Sequence, residues 1–512
     1  MMNDNNNILE GIEPLENVNK PNILKGEKFL LLIAFGIAVL YDRLFLNYIL
    51  KLGQYDDWNL FYFTAIFEIC FTVVFCVFNY KKIYKKPLLW VIAGLIITLC
   101  VWNLIFDYAS DYGILTFLVI PATLMMFAQG TTKNIVLKNI NEMIIAWFSG
   151  WFIKPFIAIH KCIEVLLSVL FHKNKENKSV IIKILAAIMI TIPLITILLA
   201  LLSGADQVFG YYVNMIFSSF HIPDFILHAM LICIAFLLFY SFFWHGKYGK
   251  TDTISAENKI KKEYKADNFV LYIILGSVLI LYILFCVIQF TYLFARAGLP
   301  EGITYSNYAR EGFAQIVVIS GINLIIFGCV LKFGKIHKPD EKDLSLKIMQ
   351  YILIALTAIM LVSGFLRLKL YIDAEGMTFL RLISAWFIIY LSLVLIFCVA
   401  RLIKAKLPVI ACCAILLLFS YNILGYINPD DFITKYNLSE KYSHKYNRVD
   451  DWIEYSFYNL SDDALNALLD SEIELDNEKY HELLERRYNE SLYKYSFSSM
   501  RLKHKLKDIF DK

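Results

Sequence analysis

The chain has 512 residues, of which 58% are hydrophobic and 18% charged, against about 25% charged in ordinary soluble domains. Its mean hydropathy is +0.57, and its formal net charge of +4 is spread without a basic stripe. These values exclude a soluble globular class and give no support for nucleic-acid binding.

Residues 1–27 are polar and Asn-rich, and no cleavage pattern follows a short apolar core. They are expected to be a cytoplasmic tail, with the first span an uncleaved anchor. Apolar runs then fall at about 28–50, 58–79, 88–106, 113–130, 180–202, 226–244, 269–294, 314–332, 347–366, 379–401 and 407–427. Each approaches the roughly 20 residues that cross a hydrocarbon core. A backbone in lipid must satisfy its own polar groups, so these runs are read as helices. The predicted fold is all-α, a polytopic transmembrane bundle of about eleven spans over residues 28–427.

The segment 143–170 is apolar but carries Lys154, Pro155, His160, Lys161 and Glu164. It is expected to lie as an amphipathic helix on the cytoplasmic interface, because spanning would invert every later loop. Residues 428–512 lack a long apolar run and are net acidic. They predict a small helical extracytoplasmic domain, with Ser461 as a helix N-cap, a helix over 477–495, and Asp462 and Asp463 on a solvated face.

Orientation follows from basic loops. Lys81, Lys82, Lys85 and Lys86, then Lys173, Lys175 and Lys178, then six lysines from Lys247 to Lys265 mark alternate loops. Lys335, Lys338 and Lys342, and then Arg401, Lys404 and Lys406, continue the pattern, whereas residues 203–225 hold neither Lys nor Arg. The expected protein is a multi-pass cell-membrane protein with its N-terminus cytoplasmic and its C-terminus extracytoplasmic. All ten cysteines lie in apolar stretches, so no disulfide framework is expected.

Three polar clusters fall at the outer ends of the predicted spans, where charge is expensive. In "LYDRLFLNY", Asp42 and Arg43 point about 100° apart on a helix, so each needs its own partner. In "PEGITYSNYAREGFAQ", Tyr308 shares a helix face with Tyr305 and Gly312, and Arg310 and Glu311 stand just before the next span. In "RLKLYIDAEGMTFLRL", Tyr371, Asp373, Glu375 and Gly376 form or flank a turn, Thr378 is a candidate N-cap, and Arg381 lies one turn further on. A buried Arg381 needs carbonyls or an acid, for which Glu375, Glu311, Asp42 and Asp206 are candidates. The clusters are read either as clamps between helices or as parts of an outward-facing binding site.

"TYSNYAREGF", "LYIDAEGMTFLRL" and "NPDDFITKYNL" together resemble an uncharacterised family of bacterial membrane proteins, the domain-of-unknown-function family four-one-seven-three. The resemblance rests on Tyr308, Ala309, Arg310, Gly312 and Phe313, on Leu370, Tyr371, Gly376, Thr378 and Arg381, and on Asn428, Pro429 and Asp430. Glu375 departs from the aromatic residue expected there. The resemblance implies an integral membrane protein and no particular activity.

P-loop, Gly-x-Ser-x-Gly and His-Glu-x-x-His patterns are absent from the sequence, and no cofactor or metal is expected. Asn323 and Gln289 are the best midplane polar candidates, and no buried carboxylate is expected within the spans. Three readings follow. The first is an envelope sensor or accessory protein acting through a protein partner at residues 246–268 or at the C-terminal domain. The second is a transporter or channel for a small solute. The third is an outer-leaflet enzyme on lipid or envelope substrates, with Arg310 and Arg381 binding phosphate.

Overall fold

A computed structural model describes residues 25–47, 59–84, 86–107, 111–132, 140–170, 224–248, 268–289, 305–333, 344–405, 407–439, 449–471, 478–491 and 493–510. Among these residues the regular structure is all helical. Among the described residues, nine helices are long and apolar enough to cross a membrane, and Leu271–Val287 is a shorter apolar helix. The predicted span at 180–202 lies outside the described residues.

The chain divides into two compact units, residues 1–42 with 149–249, and residues 43–148 with 250–512. The first unit contains α1 (Lys25–Tyr41), α6 (Ile159–Leu170) and α7 (Asp224–Tyr248). In α1 and α7, contact partners fall in number on one helix as they rise on the other, which makes the pair antiparallel. Trp244 Nε1 donates to Glu27 Oε1 at 2.7 Å, Phe35 meets Phe236 edge to face, and His228 Nδ1 lies 2.7 Å from Asp42 Oδ1. Apolar side chains between the two polar ties make this a membrane-type pair with its polar contacts at the ends.

The helix α5 (Ile140–Phe152) is followed by a single turn, Lys154–Ile157, and then by α6. Residues 140–170 are thus three short pieces, none of spanning length. Trp151, Phe152, Ile153, Phe156 and Ile157 are exposed, while Lys154 is buried.

The second unit carries α2 (Leu60–Phe78), α3 (Pro87–Ile105), α4 (Asp111–Thr132), α8 (Asn268–Gln289), α9 (Tyr305–Phe333), α10 (Leu344–Glu375), α11 (Phe379–Ile403) and α12 (Val409–Tyr426). Pro121 sits inside α4 without ending it. Polar side chains pair across these helices. Asn323 of α9 donates to Thr357 of α10 at 2.9 Å and accepts from Tyr282 of α8 at 2.7 Å. That bonding makes Asn323 a tie between helices. The Gln289 side chain lies outside the described residues.

The helices α3 and α12 run parallel. Thr98 donates to Asn422 at 2.7 Å, and Trp102 Nε1 donates to the Gly425 carbonyl at 2.9 Å. Gly425 is needed there, because a Cβ at this position would overlap the Tyr112 ring.

The C-terminal helices are α13 (Pro429–Leu438), α14 (Val449–Asn459), α15 (Asp462–Leu469), α16 (Glu478–Ser491) and α17 (Phe497–Phe510). Ile453, Phe457, Leu465, Leu468, Leu484, Leu502 and Leu506 form their shared core. The helix α15, "DDALNALL", has seven buried residues, Asp462 to Leu468, and so has almost no solvent face. Its burial decides the site described next.

Candidate functional site

Asp462 and Asp463 occupy the first turn of α15, where the unpaired helix N–H groups favour negative charge. Asp107 follows α3 at the end of the span, and its carboxylate accepts from Asp462 N at 3.0 Å. In return, Asp107 N donates to Asp463 Oδ2 at 2.9 Å. The span end and the helix start therefore cap one another. Lys494 sits between them, donating to Asp107 Oδ2 at 3.1 Å and to Asp462 Oδ2 at 2.9 Å. All three side chains are at most 1% exposed.

The surrounding donors extend the network. Ser499 Oγ donates to Asp462 at 2.7 Å, and Ser498 Oγ and Asn428 Nδ2 donate to Asp463 at 2.6 and 3.0 Å. Ser461 occupies the N-cap position of α15, and its N–H donates to Asp430 Oδ2 at 3.0 Å. Asn428 holds a left-handed backbone at φ 57°, which turns the chain sharply from α12 into α13. Arg487 lies 3.7 Å from Asp462 and donates to the carbonyls of Phe457 and Leu460.

Burial sets the electrostatics. It raises the Asp463 carboxyl to about 7, against the donors Ser498, Asp107 N and Asn428, and the Asp107 charge adds to the rise. Burial raises Asp430 to about 6, helped by Asp107 and Asp111 and opposed by Ser461. Asp462 is also raised, by burial first and then by Asp107, against Lys494, Ser499 and Arg487. Burial alone would lower the Lys494 ammonium, but Asp107 and Asp462 outweigh it and hold it above its ordinary value.

A second contact set joins the C-terminal helices to the turn between α10 and α11. Gly376 adopts φ 77°, and a Cβ there would overlap the Trp452 ring. Asn437 brackets Met377, accepting from its N–H at 2.7 Å and donating to its carbonyl at 2.8 Å. Asn59, just before α2, bonds to the backbone of Tyr493 and Tyr495. The ends of α2, α3, α10, α11 and α12 thus meet one helical tail.

The polar residues singled out in the sequence have separate fates. Arg381 donates to the carbonyls of Glu375 and Gly376 at 2.9 and 2.6 Å and lies 4.1 Å from the Tyr371 ring centre. Asp373 and Glu375 are half-buried on the same turn. Thr378 is extended at the N-cap position without a side-chain cap bond. Asp42 is buried against His228 in a wider π-helical turn, Asp42–Leu46, and Arg43 is exposed. Tyr308, Arg310 and Glu311 lie in the first two turns of α9, and their side chains, like all of Asp206, lie outside the described residues.

Two expectations are corrected. Asp462 and Asp463 are buried, because α15 has no exposed face on which to place them. A carboxylate does lie inside a span: Glu68, near the middle of α2, is 5% exposed and accepts from the Cys100 thiol of α3 at 3.8 Å. Among the described residues, no group of three or more His, Cys, Asp or Glu side chains could hold a metal ion.

A family model described as a domain of unknown function, DUF4153, matches residues 92–471. The chain belongs to this family. The family read from the motifs, four-one-seven-three, is thereby corrected to DUF4153. The matched segment holds all three motifs and the acids Asp107, Asp430, Asp462 and Asp463, whereas Glu68 and Lys494 fall outside it. No curated protein and no solved structure matches the chain.

Removing Lys494 leaves two buried carboxylates without their shared cation, so Lys494→Ala is expected to cost about 3–5 kcal/mol in thermal or denaturant unfolding. The pH sign follows from Asp430 and Asp463, both raised above their ordinary value of 3.8. Between that value and about 7 the folded state binds more protons than the unfolded state, so stability falls as pH rises through this window. Acidification from about pH 8 to about pH 5 should therefore raise the melting temperature of the wild type and partly rescue Lys494→Ala. A melting temperature that falls over this range would show the acids to be ionised and satisfied. Arg381→Ala should lose about 1–3 kcal/mol by orphaning two turn carbonyls, and unchanged unfolding in detergent would place the guanidinium in solvent.

Proposed function

We propose that this integral membrane protein is an envelope sensor or accessory protein in which the C-terminal helices, residues 428–512, receive the signal. In this reading the protein is a multi-pass cell-membrane protein with a cytoplasmic N-terminus and an extracytoplasmic tail, as its basic loops favour. The observation that carries the reading is the attachment of one tail to five helix ends through polar contacts at Asn59, Asp107, Met377 and Asn428, those at Asp107 and Met377 buried. A tail tied this way cannot shift without moving the spans. Burial raises Asp430 to about 6 and Asp463 to about 7, so proton concentration is one signal that would reach them. The output passes to a protein partner at residues 246–268 or at the tail itself. The carbonyl and ring contacts of Arg381 weigh against the outer-leaflet enzyme, because they engage the guanidinium that would hold a phosphate.

Hydrogen exchange in nanodiscs tests the coupling. Lys494→Ala should raise amide exchange in the tail and also at the far end of α11 and α12, around residues 402–409. A change confined to the tail would overturn the sensing role.

The second reading, a transporter, is favoured by Glu68. An intramembrane carboxylate is costly and usually functional. A transport cycle would expose it, so a carbodiimide should label Glu68 in sealed vesicles and Glu68→Gln should abolish the label. Absence of labelling at low and neutral pH would leave Glu68 a static partner of Cys100.

A further inference from the structure

A cavity of about 660 Å³ opens within the second unit between α3, α4, α11 and α12, walled almost wholly by apolar side chains. Along α12 its lining runs from Pro408 to Tyr421. That is about 20 Å of helix at 1.5 Å per residue. One leaflet of the hydrocarbon core is about 15 Å deep, half of the whole. The slot therefore accommodates a lipid acyl chain along its full length. Trp147 and Trp386 also line it, and Ala411 and Ala414 are small side chains on its α12 wall.

The two ends of the slot differ. At one end Lys86 lines the cavity and donates to the Gly130 carbonyl at 3.0 Å. Lys81 and Lys82 lie on the helical turn just before it. Tyr80, Tyr84 and Trp90, all exposed, cluster at the same end with ring centres 6.0 and 6.2 Å apart. Aromatic belts of this kind sit at the headgroup level, which fixes the Lys86 end at the membrane–water boundary. Burial lowers the Lys86 ammonium from its ordinary value, and an anion beside it would offset that cost.

We propose that this cavity is a binding site for one anionic phospholipid of the adjoining leaflet, its acyl chain between α3, α4 and α12 and its phosphate at Lys86. The site stands apart from the tail and from the sensing reading. An apolar slot alone would take any lipid, but the lysines select a negative headgroup.

Native mass spectrometry of the detergent-purified full chain, with phosphatidylglycerol and phosphatidylcholine added in equal amounts, tests the proposal. The wild type should retain one phosphatidylglycerol in preference. Lys86→Gln should cut that preference about fivefold, the ratio that corresponds to the ~1 kcal/mol of one lysine–lipid attraction. Ala414→Phe, which fills the slot, should lose both lipids while its own unfolding temperature is kept. Thr123→Phe, from the opposite wall, answers the same question if Ala414→Phe does not fold. Equal retention of the two lipids by the wild type overturns the proposal, as does undiminished retention by a folded slot-filled variant.

Discussion

The arrangement at the end of the bundle depends on one buried cation. Lys494 is enclosed with Asp107 and Asp462, at most 1% exposed, and it joins a span end 387 residues away to a helix start 32 residues away in the chain. Removing such charges from water costs several kcal/mol per ion, and their attraction repays it only with good geometry and full hydrogen bonding. Apolar residues of equal volume often replace a buried ion triad at no loss of stability, so net stability is a weak account of the choice. Position is the stronger account. The ammonium sits where both carboxylates reach it, and this happens only when the end of α3, the start of α15 and the segment before α17 are in register. The reciprocal caps between Asp107 and Asp462–Asp463 tighten the same condition.

Inside the bundle, the polar ties play a matching part. Spans gain no hydrophobic advantage from meeting one another in lipid, so hydrogen bonds and close packing decide which faces pair. Asn323 selects Thr357 and Tyr282, Asn422 selects Thr98, and Trp102 selects the Gly425 carbonyl. On α3 and α12 these ties gather toward the tail, where Tyr112 also stacks on Tyr421 at 4.7 Å. Gly425 sits at the crossing because the Tyr112 ring fills the space a side chain would need. The bundle is thus most sharply specified at the end where the tail is attached. Glu68 stands outside this pattern, since its contact with a thiol is weak compensation for a carboxyl in the interior of a span.

The spans were legible because twenty-residue apolar runs admit a single backbone solution in lipid. The site was less so. Asp462, Asp463 and Lys494 look in sequence like the charged surface of a small helical domain, and three-dimensional burial leaves no mark on any one of them. A signal was nonetheless present: the residues after Asp463, "ALNALL", offer almost no polar face, and a short helix buried on all sides carries its first-turn acids inward. Glu68 was legible by position alone, nearly central in an apolar run, but the averaged hydropathy of the run conceals one carboxyl among eighteen other residues. Arg381 stands in sequence as a guanidinium in need of carbonyls or an acid, and the structure places it against the turn carbonyls of Glu375 and Gly376.

The excess of acid over base in this cluster links proton binding to the position of the tail. Asp107, Asp430, Asp462 and Asp463 face Lys494 and Arg487, and the remaining negative charge rests on backbone N–H groups at Ser461, Asp462 and Asp107. Those N–H groups belong to the segments that have to stay together for the tail to remain seated. A buried carboxyl that protonates loses its claim on charge but still accepts a hydrogen bond through its carbonyl oxygen, so the seated tail tolerates protonation better than it tolerates a full set of charges. Proton affinity and docking are then two aspects of one equilibrium. Five helix ends share the same docking surface, so in the proposed sensing role a change in that equilibrium would reach the spans as displacement, with no charge needing to cross the membrane.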